Sequence, residues 1–195
     1  MVDISDESAS AGGQIPSVRT PRRALLVVAG LPGAGKSTVL HKLTAPPGTV
    51  VLDSEQVRAR LRALLPAAVP YRWYRPLVHA AHRARIAWAC LRAEGRVIAH
   101  EPSTRGTTRL MLVLFAVLGG RRRVLVWLHV GPEEALAGQH ARGRLIRGRS
   151  FQLHVHRANR FHRALLAGKA PRAWQDVRLF TREDVVAGLR VTGPR

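Results

Sequence analysis

Ala24-Leu25-Leu26-Val27-Val28-Ala29-Gly30-Leu31-Pro32-Gly33-Ala34-Gly35-Lys36-Ser37-Thr38 is the stretch on which the fold turns. Its first six residues are continuously apolar, as expected of a strand buried on both faces of a parallel sheet. Residues 30–38 fit G-x-x-x-x-G-K-[ST], and a helix is expected over residues 36–43. In such a loop the glycines let backbone N–H groups turn inward around phosphate oxygens, and the helix start adds partial positive charge. The pattern assigns Lys36 to the β- and γ-phosphates and the Ser37 hydroxyl to Mg²⁺.

Outward from the loop, strands and helices alternate. A strand is expected over residues 49–52. Ser54 then starts a helix whose Val57, Leu61, Leu64 and Leu65 share one face, stopped by Pro66. A longer helix carries Leu77, Ala81, Ala84, Trp88 and Leu91 at helical spacing and ends near Gly95. Strands are expected over residues 96–99, 124–130 and 177–180, and helices over 107–118, 132–141, 151–166 and 182–189. The alternation predicts an α/β, three-layer P-loop NTPase fold with a mainly parallel sheet of about five strands. Residues 1–22, rich in small residues and without periodicity, read as a flexible tail, leaving one domain over 23–195.

Composition narrows the function classes. The 195 residues carry 32 Lys and Arg against 12 Asp and Glu, a formal charge of +20. Lysine stands only at 36, 42 and 169, so the basic character is almost wholly arginine. Arginine forks match phosphate oxygens and a positive field steers anions, although coding bias produces the same enrichment. Cys90 is the one cysteine, which excludes an internal disulfide framework and any multi-cysteine zinc site. The longest apolar run, Leu110 to Leu118, is about half of what spans a bilayer, and the N-terminus lacks the basic-then-apolar pattern of a secretory signal. The expectation is a cytoplasmic protein with no membrane partner. The histidine pairs 79/82 and 154/156 lack further ligands at metal spacing and read as solvated helix faces.

Between Ser8 and Pro132 the carboxylates are Asp53, Glu55, Glu94 and Glu101, so acid–base or metal chemistry in that stretch must draw on these. Asp53 and Glu55 follow the second expected strand and open its helix, with Arg58 three residues after Glu55. Open α/β sheets bind ligands at the carboxyl ends of their strands. A carboxylate in the first helical turn there stays ionised, favoured by about 0.3–1 kcal/mol from the helix dipole.

Together with the phosphate loop, the segment Val50-Val51-Leu52-Asp53-Ser54-Glu55-Gln56-Val57-Arg58 resembles the P-loop kinase family that includes polynucleotide 5′-hydroxyl kinases, zeta toxins, chloramphenicol phosphotransferases and gluconate kinases. The resemblance spans roughly residues 24–166. It implies ATP and Mg²⁺ as cofactors and transfer of the γ-phosphoryl group to a hydroxyl. By the family pattern the acid contacts the acceptor hydroxyl and the arginine holds the substrate, which assigns these roles to Glu55 and Arg58. Glu stands where Asp is usual, which leaves open whether Asp53 or Glu55 faces the acceptor.

The third strand of this family usually ends in an Asp near Mg²⁺; here it ends His100-Glu101, so either Asp53 or Glu101 supports the ion beside Ser37, or the ion rests mostly on Ser37 and phosphate oxygens. The family also keeps a mobile lid where this chain has Ala141-Arg142-Gly143-Arg144-Leu145-Ile146-Arg147-Gly148-Arg149. Arginines closing over a transferring phosphoryl group are worth about 10³–10⁵ in rate. Arg142 and Arg149, which flank the turn, are the expected contributors. The acceptor is expected to be a small molecule, with a nucleic-acid end as the less favoured case. The competing reading is a switch protein that binds a nucleoside triphosphate and hydrolyses it slowly, with His100 marking a lost metal site.

Overall fold

The computed structural model describes residues 15–141 and 148–193. Among these residues eight strands and six helices follow in the order β1 (Ser17–Arg19), β2 (Ala24–Gly30), α1 (Lys36–His41), β3 (Leu43–Thr44), β4 (Val50–Leu52), α2 (Ser54–Leu64), α3 (Tyr71–Arg92), β5 (Val97–His100), α4 (Gly106–Leu118), β6 (Arg122–His129), α5 (Pro132–His140), α6 (Gly148–Leu166), β7 (Asp176–Thr181) and β8 (Leu189–Thr192). The main sheet has five strands in the order β4-β5-β2-β6-β7, every pairing parallel. The apolar strand of the decisive stretch is its centre, and all seven residues of β2 are buried. The chain passes from β5 on one side of β2 to β6 on the other. That reversal opens a crevice at the carboxyl ends of these strands, directly above the phosphate loop.

Four expectations are corrected. Val18 and its neighbours, placed in the tail, form β1, which pairs with β8 in a second sheet ordered β1-β8-β3. The helix expected over 182–189 is a turn. Thr181 N and Oγ1 both donate to Asp184 Oδ2, at 2.6 and 2.8 Å, and this local ring competes with helix formation. Leu189 onward is then released to β8. The helix over 36–43 stops at His41 because Leu43 and Thr44 pair with β8.

The fourth correction concerns which helix faces are inside. In α3 the buried side is Tyr74, Val78, His82, Ile86, Ala89 and Cys90, while Leu77, Trp88 and Leu91 are exposed. The expected apolar stripe was one row out of phase, because apolar residues occupy more of the circumference than packing uses. In α2 Val57 is buried but Leu64 is 80% exposed. No helix among the described residues is long and apolar enough to cross a membrane.

Arginine also builds the fold. Arg121, 2% exposed, donates to the carbonyls of Cys90 (2.7 Å), Ala89 (3.1 Å), Ala93 and Gly95 (2.7 Å). It thereby gives donors to carbonyls of the last turn of α3 and of the turn that follows; the Ala89 carbonyl accepts from the Ala93 amide as well.

Candidate active site

The phosphate loop is shaped by close backbone approaches. Gly33 has φ 95°, and a Cβ there would lie 1.9 Å from the Ala135 carbonyl oxygen, so only glycine lets the loop rest on α5. Gly35 has φ 89° and caps α1, a left-handed geometry that turns the chain into the helix. Lys36 is 3% exposed, and its Nζ donates to the carbonyls of Gly30 (3.1 Å) and Leu31 (2.5 Å). The loop is braced from outside by Gln139, which donates to the Pro32 carbonyl at 3.1 Å. Arg182 reaches the Gly33 carbonyl at 3.0 Å and pairs with Glu134 at 2.9 Å. No local motif marks Arg182, which acts across 149 residues of sequence.

Asp53 and His100 meet beside the loop. Register pairs Leu52 with Ala99, so the next residues on the two strands lie side by side. His100 Nδ1 is 3.0 Å from Asp53 Oδ1 and 3.5 Å from Ser37 Oγ. Asp53 also caps α2, accepting from the Glu55 amide at 3.0 Å. Burial alone would raise its pKa. The hydrogen bond and charge of His100, the Glu55 amide and the Ser37 hydroxyl outweigh burial and hold the carboxyl well below the usual carboxylate range. An ionised Asp53 accepts the proton on Nδ1, which leaves Nε2 as the second ring nitrogen of His100.

Glu55 is half-buried in the first turn of α2, with Arg58 Nη1 at 3.4 Å from its Oε2. The Arg58 guanidinium lies over the Tyr71 ring, 4.6 Å from its centroid. The structure therefore joins Glu55 with Arg58 and Asp53 with His100 and Ser37, as two neighbouring sets around one helix start. Glu101 belongs to neither. It is buried at the end of β5, where Arg83 reaches Oε1 at 3.1 Å and His82 Nε2 lies 3.9 Å from Oε2.

His82, expected on a solvated face, is fully buried, and its Nε2 donates to the His100 carbonyl at 2.8 Å. Burial lowers its pKa, only partly opposed by that hydrogen bond and by Glu101. His154 is likewise half-buried and bonds Thr104 Oγ1 at 2.7 Å. Among the described residues no group of three or more His, Cys, Asp or Glu could hold a metal ion by itself. Of the lid arginines, Arg142, Arg144 and Arg147 lie outside the described residues; Arg149 is exposed in the first turn of α6.

A central parallel strand, a phosphate loop and strand-end carboxylates define a P-loop nucleotide-binding protein of kinase type. The AAA domain family model matches residues 25–166, and the chain belongs to that family. No curated protein is similar to it in sequence. Among solved structures it is similar to the Deinococcus radiodurans tunicamycin resistance protein, at 18% identity over 80% of this chain and 85% of that one, with a TM-score of 0.51. It is also similar to a structure from the PezAT chromosomal toxin–antitoxin system of Streptococcus pneumoniae, at 11% identity over 87% and 71%, with a TM-score of 0.58. A candidate kinase from Chloroflexus aurantiacus aligns at 12% identity over 84% and 86%, with a TM-score of 0.55. At these identities the likeness is one of fold.

Proposed function

We propose that this protein is an ATP-dependent phosphotransferase that moves the γ-phosphoryl group of ATP to a hydroxyl of a small molecule. The observation that carries this reading is the Asp53–His100 pair at the ends of adjacent strands β4 and β5, beside Ser37 of the phosphate loop, with Glu55 in the first turn of the helix that follows. Residues 30–38 bind the phosphates, and Lys36 neutralises charge on the β- and γ-groups. The acceptor oxygen forms a bond to the γ-phosphorus as the bond from that phosphorus to the β,γ-bridging oxygen breaks. ADP leaves, and the hydroxyl proton passes to Glu55, with Arg58 holding the acceptor. Arg142 and Arg149 close over the transferring group.

Mg²⁺ fits the donor chemistry here. Hard cations take oxygen ligands, and the Ser37 hydroxyl and the ionised Asp53 carboxylate supply them; nucleotide oxygens and water would complete the shell. Bound there, the ion would offset phosphate charge. Asp53 in addition orients His100 and starts α2.

Mass-spectrometric screening of nucleosides, oligonucleotides, sugars and antibiotics for the gain of one phosphoryl group from ATP tests the reading. The expected result is one acceptor class phosphorylated by the wild type and not by Lys36→Ala. One observation favours a slowly hydrolysing switch instead: β5 ends in a histidine that engages Asp53. Steady ATP hydrolysis with no phosphorylated acceptor would select it.

A further inference from the structure

A cavity of about 690 Å³ lies between the start of α4 and the middle of α6, within the size range of about 300–1,000 Å³ typical of small-molecule sites. Thr104, Arg105, Arg109, Arg157, Arg160 and Phe161 are among its walls, and no carboxylate lines it. The four guanidiniums have different employments. Arg109 is structural: it stacks on Phe161, 3.8 Å from the ring centroid, and donates to the carbonyls of Ser103 (2.6 Å) and Thr104 (3.2 Å). Those bonds fix Ser103 at φ 52°, a left-handed conformation that a serine adopts only under constraint. Arg105, Arg157 and Arg160 make no ion pair with a carboxylate among the described residues, and they converge on the cavity from two helices.

The start of α4 reinforces their sign. Its N-cap, Arg105, offers no side-chain acceptor, and the first turn holds no acidic residue, so the amides there have no protein carboxylate or hydroxyl to bind. The segment that leads into the cavity is tied to the phosphate loop: the Gly30 amide donates to the carbonyl of Pro102, two residues before Thr104, at 3.1 Å. Thr104 in its wall is bonded to His154, and His154 lies within the positive field of Arg105, Arg157, Arg75 and Lys36.

We propose that this cavity is the acceptor pocket and that the acceptor is a small hydroxyl compound bearing an oxyanion, carboxylate or phosphate, held by Arg157, Arg160 and Arg105. The proposal rests on the phosphotransferase reading and narrows its substrate class. Guanidinium forks fit both oxyanions in two-point contact, whereas a neutral alcohol gains no charged hydrogen bond from the three arginines. The +20 charge of the chain is thus put to local use at this place, on an anion of small-molecule size.

The test is calorimetric titration of the full chain whose phosphate loop is already saturated with a magnesium complex of a non-hydrolysable ATP analogue. The probes are glycerol 3-phosphate, malate and glycerol. Expected is saturable 1:1 binding of glycerol 3-phosphate or malate, whichever oxyanion the pocket is built for, and none of glycerol. Arg160→Gln and Arg157→Gln should each weaken it about tenfold or more, as loss of a charged hydrogen bond does. Arg157→Lys, which keeps the charge and loses the fork, should recover part of the loss, and Lys169→Gln, which removes one exposed charge elsewhere, should change nothing. Thermal melts of each variant confirm folding.

Equal binding of glycerol, or anion binding indifferent to both Gln variants, overturns the proposal. So does binding only of an oligonucleotide, with a salt slope corresponding to four or more phosphates at about 0.7 log units each. Nucleotide binding without any anion binding overturns the pocket and leaves the phosphotransferase reading standing. Failure to bind the nucleotide analogue in the first place overturns both.

Discussion

His100 Nδ1 stands 3.0 Å from Asp53 Oδ1, joining the ends of two adjacent parallel strands next to the phosphate-loop serine. The pair divides the work of the two carboxylates near this helix start. Asp53 caps α2 and anchors His100, and under the proposed reading it would also face Mg²⁺ beside Ser37. Glu55, half-buried in the first turn of α2 and paired with Arg58, is the carboxylate that the proposed reading assigns to the acceptor hydroxyl.

That division is separable by mutation. Glu55→Gln keeps shape but cannot take a proton, so phosphoryl transfer should fall by about 10²–10⁴ while nucleotide affinity and melting temperature hold. Asp53→Asn should cost about 1 kcal/mol or more in stability through the weakened cap and the lost charge facing His100. Chemical denaturation of both variants alongside a transfer assay reads the difference. A mild effect of Glu55→Gln on transfer would remove Glu55 as the proton acceptor, whatever Asp53→Asn does through the metal.

The buried imidazole of His82 predicts acid sensitivity. Burial holds its folded pKa below the ordinary histidine value of about 6.5, so between these two values the unfolded chain binds the proton more readily. Its contribution to stability is full above about pH 6.5 and is lost as pH falls toward the lower folded value. Denaturant titrations from pH 7.5 to 5 should show declining stability. His82→Gln, which retains a donor for the His100 carbonyl but does not titrate, should flatten part of that slope. The remainder belongs to His79, His129, His154 and His162, which burial also shifts downward.

Arg121 should be among the most costly arginines to remove. Arg121→Ala removes the guanidinium that bonds Cys90, Ala89, Ala93 and Gly95, and loss of charged hydrogen bonds at a buried site costs about 2–3 kcal/mol or more. Nucleotide affinity per folded molecule should be unchanged, since Arg121 bonds only to the turn between α3 and β5 and to the end of α3 itself. Unfolding curves with and without ATP measure both quantities.

The phosphate loop and the buried parallel strand before it were legible because their chemistry is local: glycines, a lysine and an apolar run within fifteen residues. The Asp53–His100 contact was not, since it depends on strand register between segments 47 residues apart. Nor was the buried state of His82, whose helix carries apolar residues on several sides and so leaves the inward row undetermined by spacing. Arginine proved the least readable residue. Arg121 binds carbonyls, Arg109 builds a cavity wall and Arg160 faces that cavity, yet nothing in the neighbouring sequence distinguishes them.

The most direct measurement is the melting temperature of the wild type and of Lys36→Ala with and without Mg·ATP. At 100 times its dissociation constant a ligand contributes about 2.7 kcal/mol, which for a chain of this size raises the melting temperature by about 5–10 °C. The account predicts that shift for the wild type and its loss in a folded Lys36→Ala. An unshifted wild type at millimolar ATP, or an equal shift in both proteins, would contradict it.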